Sequence, residues 1–206
     1  MMLLCEFEPL ELDCRALGYH LVCGVDEAGR GPIAGDVYAA AVILPELAEG
    51  AIHKNLPGLN DSKKLSARQR DVLEKLIKEQ ALAWAVALAT VEEIERINIL
   101  RASLLAMRRA VEALRPSAEF ALVDGNLLPA LQIPGSAVIK GDARCASIAA
   151  ASILAKTARD RAMAALEKEY PGYGFARHKG YGTKAHYEAL QRLEPCPIHR
   201  KSFLHI

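Results

Sequence analysis

Apolar residues along this chain fall into two kinds of run, and the alternation between them lays out an α/β plan. Runs of the first kind are short and nearly continuous. Leu21-Val22-Cys23-Gly24-Val25, Ala39-Ala40-Ala41-Val42-Ile43 and Ala81 to Ala89 suit buried strands. On this reading strands occupy 20–26, 36–44, 81–89, 119–123 and 133–139, and the short connection between the first two permits antiparallel neighbours. Runs of the second kind recur with a helical period. Ser66 can cap a helix running to about Gln80 that buries Val72, Leu73, Leu76 and Ile77. Thr90 followed by Glu93 makes a capping box for a short helix, and Asn98 can cap a second reaching Arg115, where Pro116 stops it. In that second helix Leu100, Leu104, Met107, Val111 and Leu114 share a face. From Arg144 to about Tyr170 an Ala-rich run starts a long helix whose small residues let it lie close on its neighbour. Thr183 caps a last helix through about Leu193. Pro45 to Asp61 reads as a loop, and Trp84, mid-strand, as core. Strands early, helices late and βα alternation between them predict one mixed sheet flanked by helices in a single domain.

Composition narrows the class without changing this plan. A chain of 206 residues can bury most of its apolar surface in one domain. With 51% hydrophobic and 25% charged residues it is ordinary globular material, and with only 5% aromatics its core must be built from Ala, Leu, Ile and Val. The five cysteines, Cys5, Cys14, Cys23, Cys145 and Cys196, show neither C-x-x-C pairs nor zinc spacing with His. They read as reduced thiols in a cytoplasmic protein. Met1-Met2-Leu3-Leu4 is interrupted by Glu6 and Glu8 before a signal-peptide core forms, and no apolar run approaches membrane-spanning length. Net charge is +1, yet residues 140–206 hold 12 Lys and Arg against 6 Asp and Glu, leaving 14 against 19 in residues 1–139. Such asymmetry allows a basic face opposite an acidic pocket; a solvated basic tail gives the same count.

The candidate chemistry begins at Val25-Asp26-Glu27-Ala28-Gly29-Arg30-Gly31-Pro32. Two carboxylates at a strand end are hard oxygen ligands that suit Mg²⁺ or Mn²⁺, and glycine backbone admits a phosphate or sugar close to main-chain N–H groups. A surface turn with solvated acids is an equally open reading of these residues alone. Asp124 and Asp142 widen the picture, because each follows another apolar strand. Acids delivered to one end of a sheet converge in space, repel one another and call for a cation. Two cations ~3.5–4 Å apart can activate water and stabilise a leaving 3′-oxygen. Neighbours on a strand face opposite ways, so Asp26 and Glu27 share a site only if the strand ends or twists there. Each Asp taken alone reads equally as a loop-capping acid.

Taken jointly, Asp26-Glu27-Ala28-Gly29-Arg30-Gly31-Pro32, Asn60-Asp61-Ser62-Lys63-Lys64-Leu65-Ser66, Val123-Asp124-Gly125-Asn126, Lys140-Gly141-Asp142, Ala150-Ala151-Ser152-Ile153-Leu154-Ala155-Lys156 and Lys179-Gly180-Tyr181-Gly182-Thr183 resemble the signature blocks of bacterial type 2 ribonuclease H, the ribonuclease HII family, across roughly residues 20–203. The resemblance implies a ribonuclease H-like fold, a mixed five-stranded sheet flanked by helices with residues 171–206 as a substrate-contacting helical extension. It implies endonucleolytic cleavage of the RNA strand in RNA–DNA hybrids, and cleavage 5′ to a single ribonucleotide in duplex DNA. It makes Asp26, Glu27, Asp124 and Asp142 the catalytic and Mg²⁺- or Mn²⁺-binding set. Gly29, Arg30 and Gly31 then read the 2′-hydroxyl and backbone at the junction, Tyr181 packs on the neighbouring deoxyribose, and Lys63 contacts phosphate. A monomer is expected. Lys156-Thr157-Ala158-Arg159-Asp160 departs from the Lys-Val-Thr-Arg-Asp of the pattern without touching the four acids.

Other residues carry plainer expectations. Asp160 reads as a helix-surface ion-pair partner and His178 as a solvated loop histidine. Tyr173 and Phe175 pack the glycine-rich segment onto the body, while Lys184, Arg192, Arg200 and Lys201 either track a duplex or keep the tail soluble. The rival functions are a DNA resolvase or transposase-type nuclease on the same fold, and a non-catalytic hybrid-binding module.

Overall fold

The computed structural model describes residues 6–46 and 51–204. The sheet has five strands, β1 (Val22–Ala28), β2 (Val37–Ile43), β3 (Ala83–Ala89), β4 (Phe120–Asp124) and β5 (Gly135–Val138), in the order β3-β2-β1-β4-β5. β2 runs antiparallel to both β1 and β3, whereas β1, β4 and β5 are mutually parallel. The mixed sheet is therefore as expected, and its parallel half brings the carboxyl ends of β1 and β4 side by side.

The main helices are α1 (Leu10–Ala16), α2 (Ala51–Asn55), α3 (Ala67–Gln80), α4 (Val91–Glu112), α5 (Ala146–Glu169), α6 (Phe175–His178) and α7 (Lys184–Leu193). The first two lie where the sequence predicts no helix: α1 is short, and α2 sits inside the Pro45–Asp61 stretch read as loop. Residues 47–50 of that stretch, like the Met1–Leu4 opening, lie outside the described residues. Ser66 and Thr90 each form a complete capping box, with Gln69 and Glu93 reaching back to the cap N–H. Asn98 breaks α4 with φ 67° and its carboxamide oxygen accepts from the Arg101 N–H at 3.1 Å, so the two-helix reading with an Asn98 cap is correct.

Strand alternation sends one set of residues to each face. Cys23, Val25, Val37, Ala39, Ala41, Ile43, Ala121 and Val123 pack with α4, while Ala40 and Val42 pack with α3 and α5. Three packing expectations fail for identifiable reasons. Val72 is 54% exposed, because α3 is turned to bury Leu73, Ile77 and Glu74, the last drawn in by Arg161 at 2.7 Å and Lys78 at 2.8 Å. Trp84 is 40% exposed on edge strand β3, where Ala83 and Ala85 take the α4 face and Lys78 stands 4.6 Å above its ring. Leu100 is 39% exposed because α4 seats its alanines, Ala102, Ala106 and Ala110, against the small side chains of the sheet.

Helix α5 lies across β1 with every residue from Ala146 to Ala155 buried. Gly24 makes that approach possible, since a Cβ there would stand 2.1 Å from the Ser147 carbonyl carbon. Small residues thus bring the start of α5, and the turn before it, over the acidic end of β1. Among the described residues no helix is long and apolar enough to cross a membrane.

Candidate active site

Asp26 and Asp124 occupy equivalent places on adjacent parallel strands, since Val25 pairs with Val123 one residue earlier on each. Gly24, Asp26, Leu122 and Asp124 share the α5 face by alternation. The third acid comes from the β5–α5 connection, where Lys140 adopts a left-handed φ of 56° and a 3₁₀ turn, Gly141–Ala143, carries Asp142 inward. Asp124 holds that turn itself, its carboxylate accepting from the Gly141 N–H at 2.7 Å. Carboxylate oxygens of Asp26, Asp124 and Asp142 all lie within 4.8 Å of one another.

Glu27 stands apart from this trio. Its carboxylate pairs with Arg30 at 3.3 Å on the other side of the strand end, as alternation requires. Its charge still reaches the cluster: burial, then Glu27, then Asp124 raise the Asp26 pKa well above the usual carboxylate range. Burial, followed by Asp61 and Asp124, also raises the pKa of Asp142. Lys63, at the start of the turn before α3, reaches Asp142 at 3.3 Å. Burial disfavours the Lys63 charge, but Asp142 and Asp26 outweigh it and its pKa is raised. One largely exposed ammonium offsets only part of the mutual repulsion within the trio. An all-oxygen donor set of this kind fits a hard divalent cation such as Mg²⁺ or Mn²⁺ and suits zinc poorly.

The Gly29-Arg30-Gly31 turn continues directly from β1. Gly29 has φ 104°, a conformation L side chains avoid, and a Cβ there would stand 2.1 Å from Arg159 Nε. Gly31 is exposed beside the Tyr181 ring, which would lie 3.7 Å from a Cβ on it. Tyr181 itself is 45% exposed. The structure therefore sets the glycine turn and Tyr181 next to each other, flanking the acids.

Several residues behave differently from their sequence reading. Arg200, expected on a solvated tail, is fully buried and donates to the carbonyls of Gly29, Arg30, Pro32 and Gly35. His178 is not a solvated loop residue: its Nε2 donates to the Tyr173 carbonyl at 2.7 Å and its ring stacks on His186 at 4.3 Å. His186 and His199, unremarked in the sequence, are buried with their Nε2 atoms 3.0 Å apart. The signal that could have found them is weak; His186 lies on the buried side of α7 with Ala189 and Leu190. Asp160 does pair, with Lys156 at 2.6 Å and Arg70 at 3.3 Å. Tyr173 and Phe175 are buried against the body as expected.

A sheet of this order, with acids at the carboxyl ends of its central parallel strands, is that of the ribonuclease H-like enzymes. The crystal structure of ribonuclease H2 from Pyrococcus horikoshii OT3 superposes with a TM-score of 0.71 at 28% identity, covering 88% of this chain and 92% of that one. The chain belongs to the ribonuclease HII family, whose model, described as Ribonuclease HII, matches residues 23–206. It is 62% identical over 184 residues to ribonuclease HII of Dechloromonas aromatica, covering 89% of this chain and 90% of that protein. Ribonuclease HII of Laribacter hongkongensis is 59% identical over 184 residues, covering 88% and 90%. The protein is accordingly an endoribonuclease of the type 2 ribonuclease H class, a hydrolase.

Proposed function

We propose that this enzyme cleaves the RNA strand of RNA–DNA hybrids and cuts 5′ to single ribonucleotides in duplex DNA, leaving 3′-hydroxyl and 5′-phosphate ends, in a divalent-metal-dependent reaction that serves ribonucleotide removal. The observation that carries the proposal is the convergence of Asp26, Asp124 and Asp142 within 4.8 Å at the end of the sheet. Asp26, Asp124 and Asp142 would hold Mg²⁺ or Mn²⁺, with Glu27 completing the set from beside Arg30. Bound in such a site, divalent cations lower the pKa of water and neutralise charge on a leaving oxygen. The chain's own part is to hold the acids in register through Gly24 and the Asp124–Gly141 hydrogen bond, and to place the scissile ester against them.

Placement falls to the neighbouring turn. The turn Gly29-Arg30-Gly31, buried at Gly29 and exposed at Arg30 and Gly31, offers main-chain N–H groups to a 2′-hydroxyl and its phosphate, the local mark of RNA. Tyr181 packs on the adjoining sugar, where a ring leaves little room for a second 2′-hydroxyl. Lys63 swings between Asp142 and a phosphate. Residues 171–206 form the substrate-contacting extension of a single domain, and the enzyme works as a cytoplasmic monomer.

A labelled duplex with one internal ribonucleotide, incubated with and without Mg²⁺, tests the reading. Metal-dependent incision 5′ to the ribonucleotide, absent on an all-DNA control, is expected. Cutting of the all-DNA duplex would instead favour a resolvase-type nuclease, and binding without cutting a non-catalytic module.

A further inference from the structure

The glycine turn and Tyr181 are far apart in sequence, and neither forms part of a regular element that would fix it relative to the other. Residues 196–200 contribute to the tie between them. Ala34 bridges His199 in antiparallel fashion, the Gly35 N–H donates to Ile198 at 2.8 Å, and the Arg200 N–H donates to Ile33 at 2.8 Å. On the other side the Ile33 N–H donates to Gly180 at 2.9 Å, and Arg159 donates to both Ala34 at 3.1 Å and Lys179 at 2.9 Å.

Two adjacent side chains of this segment then reach one reading element each. The Arg200 guanidinium donates to Gly29 at 2.7 Å, Arg30 at 3.1 Å, Pro32 at 2.8 Å and Gly35 at 2.6 Å. A buried guanidinium is costly unless its donors are satisfied, and here carbonyls alone satisfy it. In a planar trans peptide the C=O and the following N–H point in opposite directions. With the Gly29 and Arg30 carbonyls turned inward to Arg200, the N–H groups of Arg30 and Gly31 are turned outward.

His199 works on Tyr181 through a directional chain of hydrogen bonds. The Tyr181 carbonyl can only accept, so His186 Nδ1, 3.0 Å away, carries the proton and His186 Nε2 is the acceptor. His199 Nε2, 3.0 Å from it, must therefore donate, leaving His199 Nδ1 to accept from the Cys196 N–H at 3.0 Å. Each ring nitrogen of the pair then has a partner of the right kind, and the Cys196 thiol also lies 3.1 Å from His199 Nδ1.

We infer that His199 and Arg200 act as a strut that sets the glycine turn and Tyr181 in register, and so are positioning residues for recognition of the RNA–DNA junction. This rests on the reading of the turn and Tyr181 proposed above. Neither residue touches substrate. Each acts through the backbone it holds.

The test measures the ratio of kcat/KM for a lone-ribonucleotide duplex to that for a uniform RNA–DNA hybrid. His199→Ala and Arg200→Lys are made singly and in a Tyr181→Ala background, with hydrogen exchange of the segments 29–35 and 179–183 followed in each. Thermal melting identifies any variant that does not fold, in which case the other carries the test. Faster exchange in both segments is expected, with a fall in the ratio on the order of tenfold and little further fall when Tyr181 is already Ala. Unchanged exchange overturns the strut, as does a ratio that falls equally in both backgrounds, the mark of a merely structural defect. A ratio unmoved by Tyr181→Ala alone overturns the reading of Tyr181, and this inference with it, while the exchange data still report whether the tie exists.

Discussion

Gly24 of β1 and Ser147 of α5 meet backbone to backbone, closely enough that a Cβ on Gly24 would stand 2.1 Å from the Ser147 carbonyl carbon and 2.2 Å from the Ile148 nitrogen. Neither contact can be relieved by rotating a side chain, so α5 itself would have to lift. Because Asp142 lies in the turn that feeds α5, the acids depend on this contact.

Gly24→Ala should therefore destabilise the fold by about 1–3 kcal/mol or more, lowering Tm by ~2–4 °C for each kcal/mol in a chain of this size. Activity of the folded fraction should fall too, as Asp142 moves away from Asp26. Differential scanning calorimetry with turnover assays checks both, and an unchanged Tm would mean that α5 is not seated as described.

Asp26→Asn tests the electrostatics of the trio. Burial, Glu27 and Asp124 raise the Asp26 pKa well above the usual carboxylate range, so without metal the folded chain loses stability as pH rises past the unfolded carboxylate's range, a cost that a side chain that does not titrate avoids. Metal-free Asp26→Asn protein should melt higher than metal-free wild type, lose the stabilisation that Mg²⁺ confers on wild type, and turn over slower by orders of magnitude while still binding hybrid. Retained activity would remove Asp26 from the catalytic set.

Tyr181→Ala should lower cleavage at a lone ribonucleotide more than cleavage of a uniform hybrid, since only the former presents a deoxyribose beside the ribose. Steady-state kinetics on both substrates decide it. Equal losses would mean that the exposed ring does not discriminate sugars.

The buried histidines give a pH signature. Burial holds His186 neutral, with its pKa lowered to about 4 from an ordinary 6.5, and His199 is lowered as well. The unfolded chain takes up these protons first as pH falls. The contribution to stability is thus complete above about 6.5 and is lost as pH falls from there through about 4. For His186 it is on the order of 3 kcal/mol. His186→Phe should show a flatter fall in Tm between pH 6.5 and 4 than wild type. Parallel curves would mean that His186 is not held neutral.

Local physics made much of this molecule legible in the chain itself. The capping boxes at Ser66 and Thr90 and the break at Asn98 depend on atoms within three residues of each other, so sequence alone determined them. The strands were equally plain, because runs such as Val22 to Val25 and Ala39 to Ile43 are apolar on both faces of a covered sheet. That acids followed these strands was visible too, as was the small-residue character of α5.

Only the folded arrangement decided which acids meet. Asp26 and Asp124 come together because β1 and β4 are parallel neighbours in register, a pairing no local signal specifies, and alternation at the strand end turned Glu27 to the other side. The basic tail shows the same limit more sharply. Arg200 and Lys201 are adjacent cations with similar sequence surroundings, yet Arg200 is buried among carbonyls supplied from residues 29–35, and Lys201 is exposed. Partners more than 160 positions away settled that difference, and hydrogen bonds over such a distance exist only once the chain has closed.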